Sequence, residues 1–349
     1  MMRMTSLKTI RTLLKKSRNP LYFYDDDPDG LVSYMLLKRR FEKGNGIIIR
    51  VGGMHLDEDG LYLNKIKEYN PDLVVFLDKP TLNQDIFDKI NVKKIWIDHH
   101  DVVDVKNVYY YNPRIKNKKD NKPTSYICYK ISEQDLWLAC VGVIADWSLA
   151  LLKDFRKKYP ELVDETELKN LKADDVIYET RLGELARIFS FILKGKTSDV
   201  KDNIEMLLKI NDPYEILEKK SKEGMKLFEC AEKFLKKYKL LLEKAVNENK
   251  KTKRLIVFTY VADDVSFTAD LANELIHKFP GRVIAVGRIK EEQMRVSLRS
   301  SDNDVEIPRI IDKICNEIKC SGGGHEHAAA VEIHKDDFEK FIKLLRRSV

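Results

Sequence analysis

The sequence predicts an α/β protein: a parallel-sheet N-terminal domain with helices on both faces, then a helical connector, then a smaller α/β C-terminal domain. Three observations predict it. Short apolar runs alternate with helix-like stretches through the first half, the pattern of a parallel sheet covered on both sides. A long charged stretch with apolar residues at helical spacing follows. Strand-helix alternation then resumes to the end of the chain. At 349 residues the chain exceeds what one core of roughly 250–300 residues holds. The divisions fall at 1–195, 196–250 and 251–349.

The elements follow in order. The N-terminal stretch MMRMTSLKTIRTLLKK reads as a short amphipathic helix, with Leu7, Ile10, Leu13 and Leu14 on one face. Apolar runs at Leu21–Tyr24, Ile47–Val51, Leu73–Leu77, Ile95–Ile97 and Val108–Tyr111 are the strands. Helices are expected at Leu31–Phe41 and Leu61–Tyr69. From about Ala139 to Lys194 the pattern turns helical, and from Pro213 to about Lys250 it becomes a connecting helix or helical pair. That connector is read as a spacer, with self-association into a homodimer left open. In the last part, Leu255–Val261, Arg282–Val286, Met294–Leu298 and Ala328–Ile333 read as strands. Ala269–Lys278, Ile307–Ile318 and Asp336–Leu345 read as helices.

Composition narrows the class. Apolar residues make up 43% and charged residues 34%, and glutamine is scarce, a mix that fits a thermophile. The net charge of +7 tolerates a polyanionic partner and equally fits a lysine-rich surface. The five cysteines show no C-x-x-C spacing, so neither a zinc site nor a disulfide framework is expected, and a reducing cytoplasm is the natural compartment. No apolar run is long enough to span a membrane, and the N-terminus lacks signal-peptide features.

The central observation is acidic. Four acidic clusters sit where apolar segments end: Asp25-Asp26-Asp27-Pro28-Asp29-Gly30, then Asp78, then Asp98-His99-His100-Asp101, then Asp146. In the first, Asp25, Asp27 and Asp29 alternate and would project the same way from extended backbone, before Gly30 turns into a helix. Buried together, such carboxylates need cations. The loop breaks into an apolar helix, which excludes a calcium-binding EF-hand. Imidazoles among carboxylates suit a transition metal such as Mn²⁺. Asp146 closes the apolar run Val141-Gly142-Val143-Ile144-Ala145, where a charge survives only with a partner. Arranged around one sheet, the four clusters point to a dinuclear metal centre rather than to coincidence.

Asp-x-Asp-x-Asp-Gly at Asp25–Gly30, the strand-end Asp78, Asp98-His99-His100 and Gly142-x-x-Ala145-Asp146 resemble, in that order, the motifs of the DHH phosphoesterase superfamily. Val296-Ser297-Leu298-Arg299-Ser300 and Gly322-Gly323-Gly324-His325 resemble its DHH-associated C-terminal domain. Asn112-Pro113 and Pro123-Thr124-Ser125 also resemble stretches that follow the DHH motif. Three positions depart from the pattern. Phe23 stands where many relatives place a histidine ligand, Lys79-Pro80 follows Asp78 where a glycine is usual nearby, and Ala330 replaces a final glycine.

The resemblance implies a RecJ-like, Mn²⁺-dependent phosphodiesterase with two ions, Mg²⁺ or Co²⁺ being substitutes. The metal ligands it implies are Asp25, Asp27, Asp29, Asp78, His99 and Asp146, with Asp78 bridging. Asp98, His99 and His100 are the catalytic motif: His100 contacts phosphate, and Asp98 orients a histidine through its other nitrogen. Water activated by the two ions, about 3.5–4 Å apart, would attack phosphorus. Ser297, Arg299, Gly322, Gly323, Gly324 and His325 would bind substrate, the glycines through crowded backbone N–H groups and Arg299 through its planar fork. His55, His277, His327 and His334 read as ordinary structural or surface histidines. Single-stranded DNA or RNA, or short oligonucleotides, are the expected substrates. A cyclic-dinucleotide phosphodiesterase, and a non-catalytic scaffold that meets replication or repair proteins, are the alternatives.

Overall fold

The computed structural model describes residues 4–50, 60–80, 82–163, 171–250, 254–261, 265–302, 304–325 and 327–349. Val51, at the end of one expected strand, and His55 lie outside the described residues. The chain divides into two compact units, Met1–Ala231 and Glu232–Val349.

In the first unit the order is α1 (Leu7–Lys16), β1 (Pro20–Asp25), α2 (Pro28–Phe41), β2 (Asn45–Ile49), α3 (Leu61–Tyr69), β3 (Leu73–Leu77), α4 (Gln84–Lys89), β4 (Lys93–Ile97) and β5 (Tyr109–Tyr111). Helices follow: α5 (Thr124–Ser132), α6 (Leu136–Ala145), α7 (Leu152–Lys158), α8 (Ala173–Glu179), α9 (Arg181–Ile192), α10 (Thr197–Leu207), α11 (Pro213–Leu217) and α12 (Lys222–Asn249), the last containing the division point. The five strands pair in parallel in the order β2-β1-β3-β4-β5. The expected parallel sheet is therefore present. β1 lies between β2 and β3, so the connections leave it in opposite directions. The crevice at the carboxyl ends of β1 and β3 is the topological switch point, where ligands of such sheets bind.

Residues of the three central strands β1, β3 and β4 are buried on both faces. Leu21, Phe23, Val74, Phe76, Trp96 and Tyr110 form one core with Tyr62 of α3 and Phe87 of α4. Tyr22 and Tyr24 point the other way, onto Tyr34 of α2, with Tyr24 and Tyr34 stacked at 4.7 Å. On that second face α2 packs against α5 and α6. Gly142 of α6 permits the approach, because a Cβ there would lie within 3 Å of Ser125 and Val32 side-chain atoms. The helical region thus begins at Thr124, earlier than the sequence pattern indicated.

The second unit contains β6 (Leu255–Val261), α13 (Thr268–Lys278), β7 (Val283–Lys290), β8 (Gln293–Ser300), α14 (Ile307–Glu317), β9 (Cys320–His325), β10 (Ala328–His334) and α15 (Phe338–Ser348). Its sheet runs β6-β7-β8-β10-β9, parallel only between β6 and β7. One face is sealed by α14 and α15 through Val296, Leu298, Val331, Ile311, Ile314 and Phe341. The glycine run is a strand at the sheet edge, because β10 pairs with it along its length. One expectation is corrected here. Cys315 and Cys320 are joined in a disulfide, since the end of α14 returns directly to β9; Cys128, Cys140 and Cys230 are free. Among the described residues, no helix is long and apolar enough to cross a membrane.

Candidate metal centre

Each acidic cluster is delivered by the end of an element. β1 ends at Asp25, and Asp27 is the extended N-cap of α2, its side chain accepting from the Gly30 amide at 2.8 Å. Pro28 starts the helix, where its missing N–H costs nothing. Asp29 therefore sits in the first helical turn, not on extended backbone, and the expected alternation of Asp25, Asp27 and Asp29 stops at Asp27.

Asp29 is 1% exposed and faces the N-terminus of α5. It accepts the Thr124 amide at 2.8 Å, the Ser125 amide at 2.9 Å and the Ser125 hydroxyl. A helix N-terminus with its orphan N–H groups is a natural carboxylate site. Asp78 follows β3 in the left-handed region, φ 59°, and accepts the Thr124 hydroxyl at 3.0 Å. Thr124 and Ser125 therefore hold two carboxylates together, a role that the sequence alone did not assign. The signal was Pro123-Thr124-Ser125, hydroxyl residues opening a helix.

His99 follows β4 and is 8% exposed. Its Nε2 lies 3.5 Å from Asp78 and 3.6 Å from Asp146, the C-cap of α6, and makes no hydrogen bond. Burial holds His99 below the ordinary imidazole value against the pull of Asp29. A buried ring nitrogen without a hydrogen bond, set beside two carboxylates, could serve as a metal ligand. Asp98, fully buried, accepts from the His100 amide at 3.0 Å, from His100 Nδ1 at 2.8 Å and from Asn112 at 3.3 Å. It thus orients His100 rather than His99. Burial works against a charge on His100, but the Asp98 bond outweighs it and the value is raised.

The carboxylates repel one another. Burial, then Asp29 and Asp25, push Asp27 up to about 7. Burial, then Asp29 and Asp27, push Asp146 up to about 9 and carry Asp78 well above the carboxylate range. Donor atoms of Asp29, His99 and Asp146 lie within 4.8 Å of one another, as do those of Asp78, His99 and His100. This oxygen and imidazole set fits a divalent transition metal. Asp25 stands apart: its carboxylate accepts Lys79 Nζ at 2.9 Å, and Lys79 is 3% exposed.

In the second unit, Ser297 is buried on β8 across from Ala330. A hollow of about 380 Å³ brings Ser297 and Gly322 beside Ser266 and Thr268, at the start of α13. The last two carried no distinguishing motif. Arg299 donates to Asn273 at 2.6 Å and to the Leu298 carbonyl at 2.8 Å. Gly322 and Gly324 lie against β10, where a Cβ would strike the Ala330 and Ala328 carbonyl oxygens, while Gly323 has open space. His325 ends β9 opposite Ala328. His334 accepts the Asp336 amide at 3.4 Å, a local structural role.

Residues 249–349 match the DHHA1 domain family. RecJ of Thermus thermophilus in complex with Mn²⁺ matches with a TM-score of 0.69 at 16% identity, over 98% of this chain and 54% of that one. The chain thus spans about half the length of that RecJ. A second structure, exonuclease RecJ bound to manganese, matches at 0.63 and 17% identity over 98% and 94%. The pGpG-specific phosphodiesterase PggH of Vibrio cholerae matches at 0.52 and 12% over 94% and 97%. CDC45 of Entamoeba histolytica matches at 0.54 and 12%, over 98% of each chain. No curated protein matches in sequence. The RecJ-like fold that the resemblance implied is borne out, and residues 249–349 match the DHHA1 domain family.

Proposed function

We propose that the chain is a metal-dependent phosphodiesterase acting on single-stranded nucleic acid or short oligonucleotides, with Mn²⁺ as its ion. The observation that carries this reading is His99 Nε2, buried without a hydrogen bond between Asp78 and Asp146 at the switch point of a parallel sheet. A bound divalent ion would polarise a phosphoryl oxygen and make water a nucleophile near neutral pH.

The chain's own residues do the rest. Asp29, Asp78, His99 and Asp146 would hold the ion, and Thr124 and Ser125 fix two of those carboxylates. His100, clamped by Asp98 through Nδ1, would present its other ring nitrogen to a phosphate oxygen. Trp147, beside Asp146 and 44% exposed, offers an aromatic face for a base. Residues 1–195 would carry the chemistry, 196–250 would connect, and 251–349 would grip substrate through Ser297, Arg299, Gly322, Gly323, Gly324 and His325. The RecJ and PggH likenesses support phosphodiester substrates; the CDC45 likeness supports the scaffold alternative, against which the orphaned His99 nitrogen speaks.

The test is a side-by-side digest, with Mn²⁺, of labelled single-stranded DNA, single-stranded RNA, linear dinucleotides and cyclic dinucleotides. Cleavage of the linear substrates first is expected. Exclusive cleavage of cyclic dinucleotides would replace this reading with the cyclic one.

A further inference from the structure

The acidic run at the end of β1 is already partly neutralised by the protein itself. Asp26 pairs with Arg50 at 3.4 Å, Asp27 caps α2 through the Gly30 amide, and Asp25 holds Lys79. Lys79 is the residue after Asp78, so a fixed ammonium is tethered directly beside the carboxylate that would have to bridge two ions. It is buried, and its bond to Asp25 is a charge-assisted one of 2.9 Å.

The two halves of the centre are therefore unequal. On one side, Asp29, Asp78, His99 and Asp146 converge, with Nε2 of His99 facing both Asp78 and Asp146. One imidazole nitrogen serves one ion, so these contacts describe one site. On the other side, among the described residues, stand Asp27 and a share of Asp78. One oxygen of Asp25 is taken by Lys79, and His100, whose ring lies near Asp78 and His99, is held by Asp98 through Nδ1. Phe23, at the position where a histidine would help, is fully buried, stacked on Phe76 at 5.4 Å and edge-on to Tyr62 at 5.5 Å. A divalent ion there would have few protein ligands and the like-charged Lys79 ammonium beside it.

Resting on the metal-centre reading above, we propose that the centre binds one divalent ion, held by Asp29, Asp78, His99 and Asp146. The Lys79 ammonium on Asp25 stands in for the second ion as a fixed positive charge. Lys79 is then a positioning residue: it sets Asp25 and the local charge, and does not itself exchange protons with substrate.

The test is metal stoichiometry on the full chain, independent of turnover. After equilibration with excess MnCl₂ and removal of free metal, elemental analysis should give one manganese per chain. The EPR spectrum should be that of an isolated ion. Two per chain, or an exchange-coupled pair, would overturn the inference. Lys79→Ala frees Asp25, so a second, weaker Mn²⁺ should bind, taking the count from one to two, and the melting temperature should become more dependent on Mn²⁺. Lys79→Arg keeps a cation in place and should retain one ion and the wild-type melting temperature, which separates loss of charge from loss of fold. A Lys79→Ala count that stays at one would remove Lys79 from this role. Two ions with intact hydrolysis would sink this inference and leave the phosphodiesterase reading standing. One ion without hydrolysis of any phosphodiester would do the reverse.

Discussion

Asp78 occupies left-handed backbone, 1% exposed, with Asp27, Asp29 and His99 around it. In the metal-free protein its charge is opposed by burial and by every neighbouring carboxylate. Asp78→Asn should therefore stabilise the metal-free fold while destroying the site, since asparagine tolerates the same backbone and keeps an acceptor for Thr124. Thermal melts in EDTA should show a higher melting temperature for the variant, and Mn²⁺ should no longer raise it. The pH dependence follows from the same groups. Asp27 and Asp146 have folded values of about 7 and about 9, above an unfolded value of 3.8. A carboxyl raised on folding contributes stability that is present below its unfolded value and lost as pH rises through the folded one. Metal-free protein should thus lose stability progressively from about pH 4 to about pH 9. Added Mn²⁺ should restore most at the alkaline end, where protons no longer compete for the ligands. A melting temperature flat across that window in EDTA would contradict the assigned repulsion.

Among elements, α5 decides whether the carboxylates stay together. Its first two residues give Asp29 two backbone amides and a hydroxyl, and give Asp78 a second hydroxyl. Ser125→Ala should leave the fold intact and weaken Mn²⁺ binding by roughly 10–100-fold, the usual effect of removing an orienting partner of a ligand. Calorimetric titration reads it directly, and unchanged affinity would demote α5 to a packing element. This helix also marks where the sequence was hard to read. The ends of β1, β3 and β4 were legible because apolar runs stop at Asp25, Asp78 and Asp98. The sequence of α5, TSYICYKIS, mixes β-branched and aromatic residues and carries no clear helical period. β9 hid for a related reason: Gly322, Gly323 and Gly324 have no side chains to alternate, and only pairing with β10 makes them a strand. Lys79 was visible as a departure, but its partner Asp25 is 54 residues away in sequence, and only the adjacency of β1 and β3 reveals the pair.

On the scale of the molecule, the two compact units differ in chemistry. The first gathers the acids and His99. The second is a mostly antiparallel sheet with a hollow lined by Ser297, Gly322, Ser266 and Thr268, within the span matched to the DHHA1 family. Arg299→Ala should therefore leave the manganese content unchanged and lower kcat/KM for a short oligonucleotide, roughly tenfold to a hundredfold for a lost charged contact. A fall in bound metal would show that the units are not chemically separate. Phosphodiester hydrolysis should depend on an ion held by Asp29, Asp78, His99 and Asp146. The most direct measurement is the initial rate of cleavage of a labelled short single strand by wild type and by Asp78→Asn, each in Mn²⁺ and in excess EDTA. Cleavage by wild type in Mn²⁺ alone is the predicted result. Full hydrolysis in EDTA, or Asp78→Asn working at the wild-type rate, would contradict it.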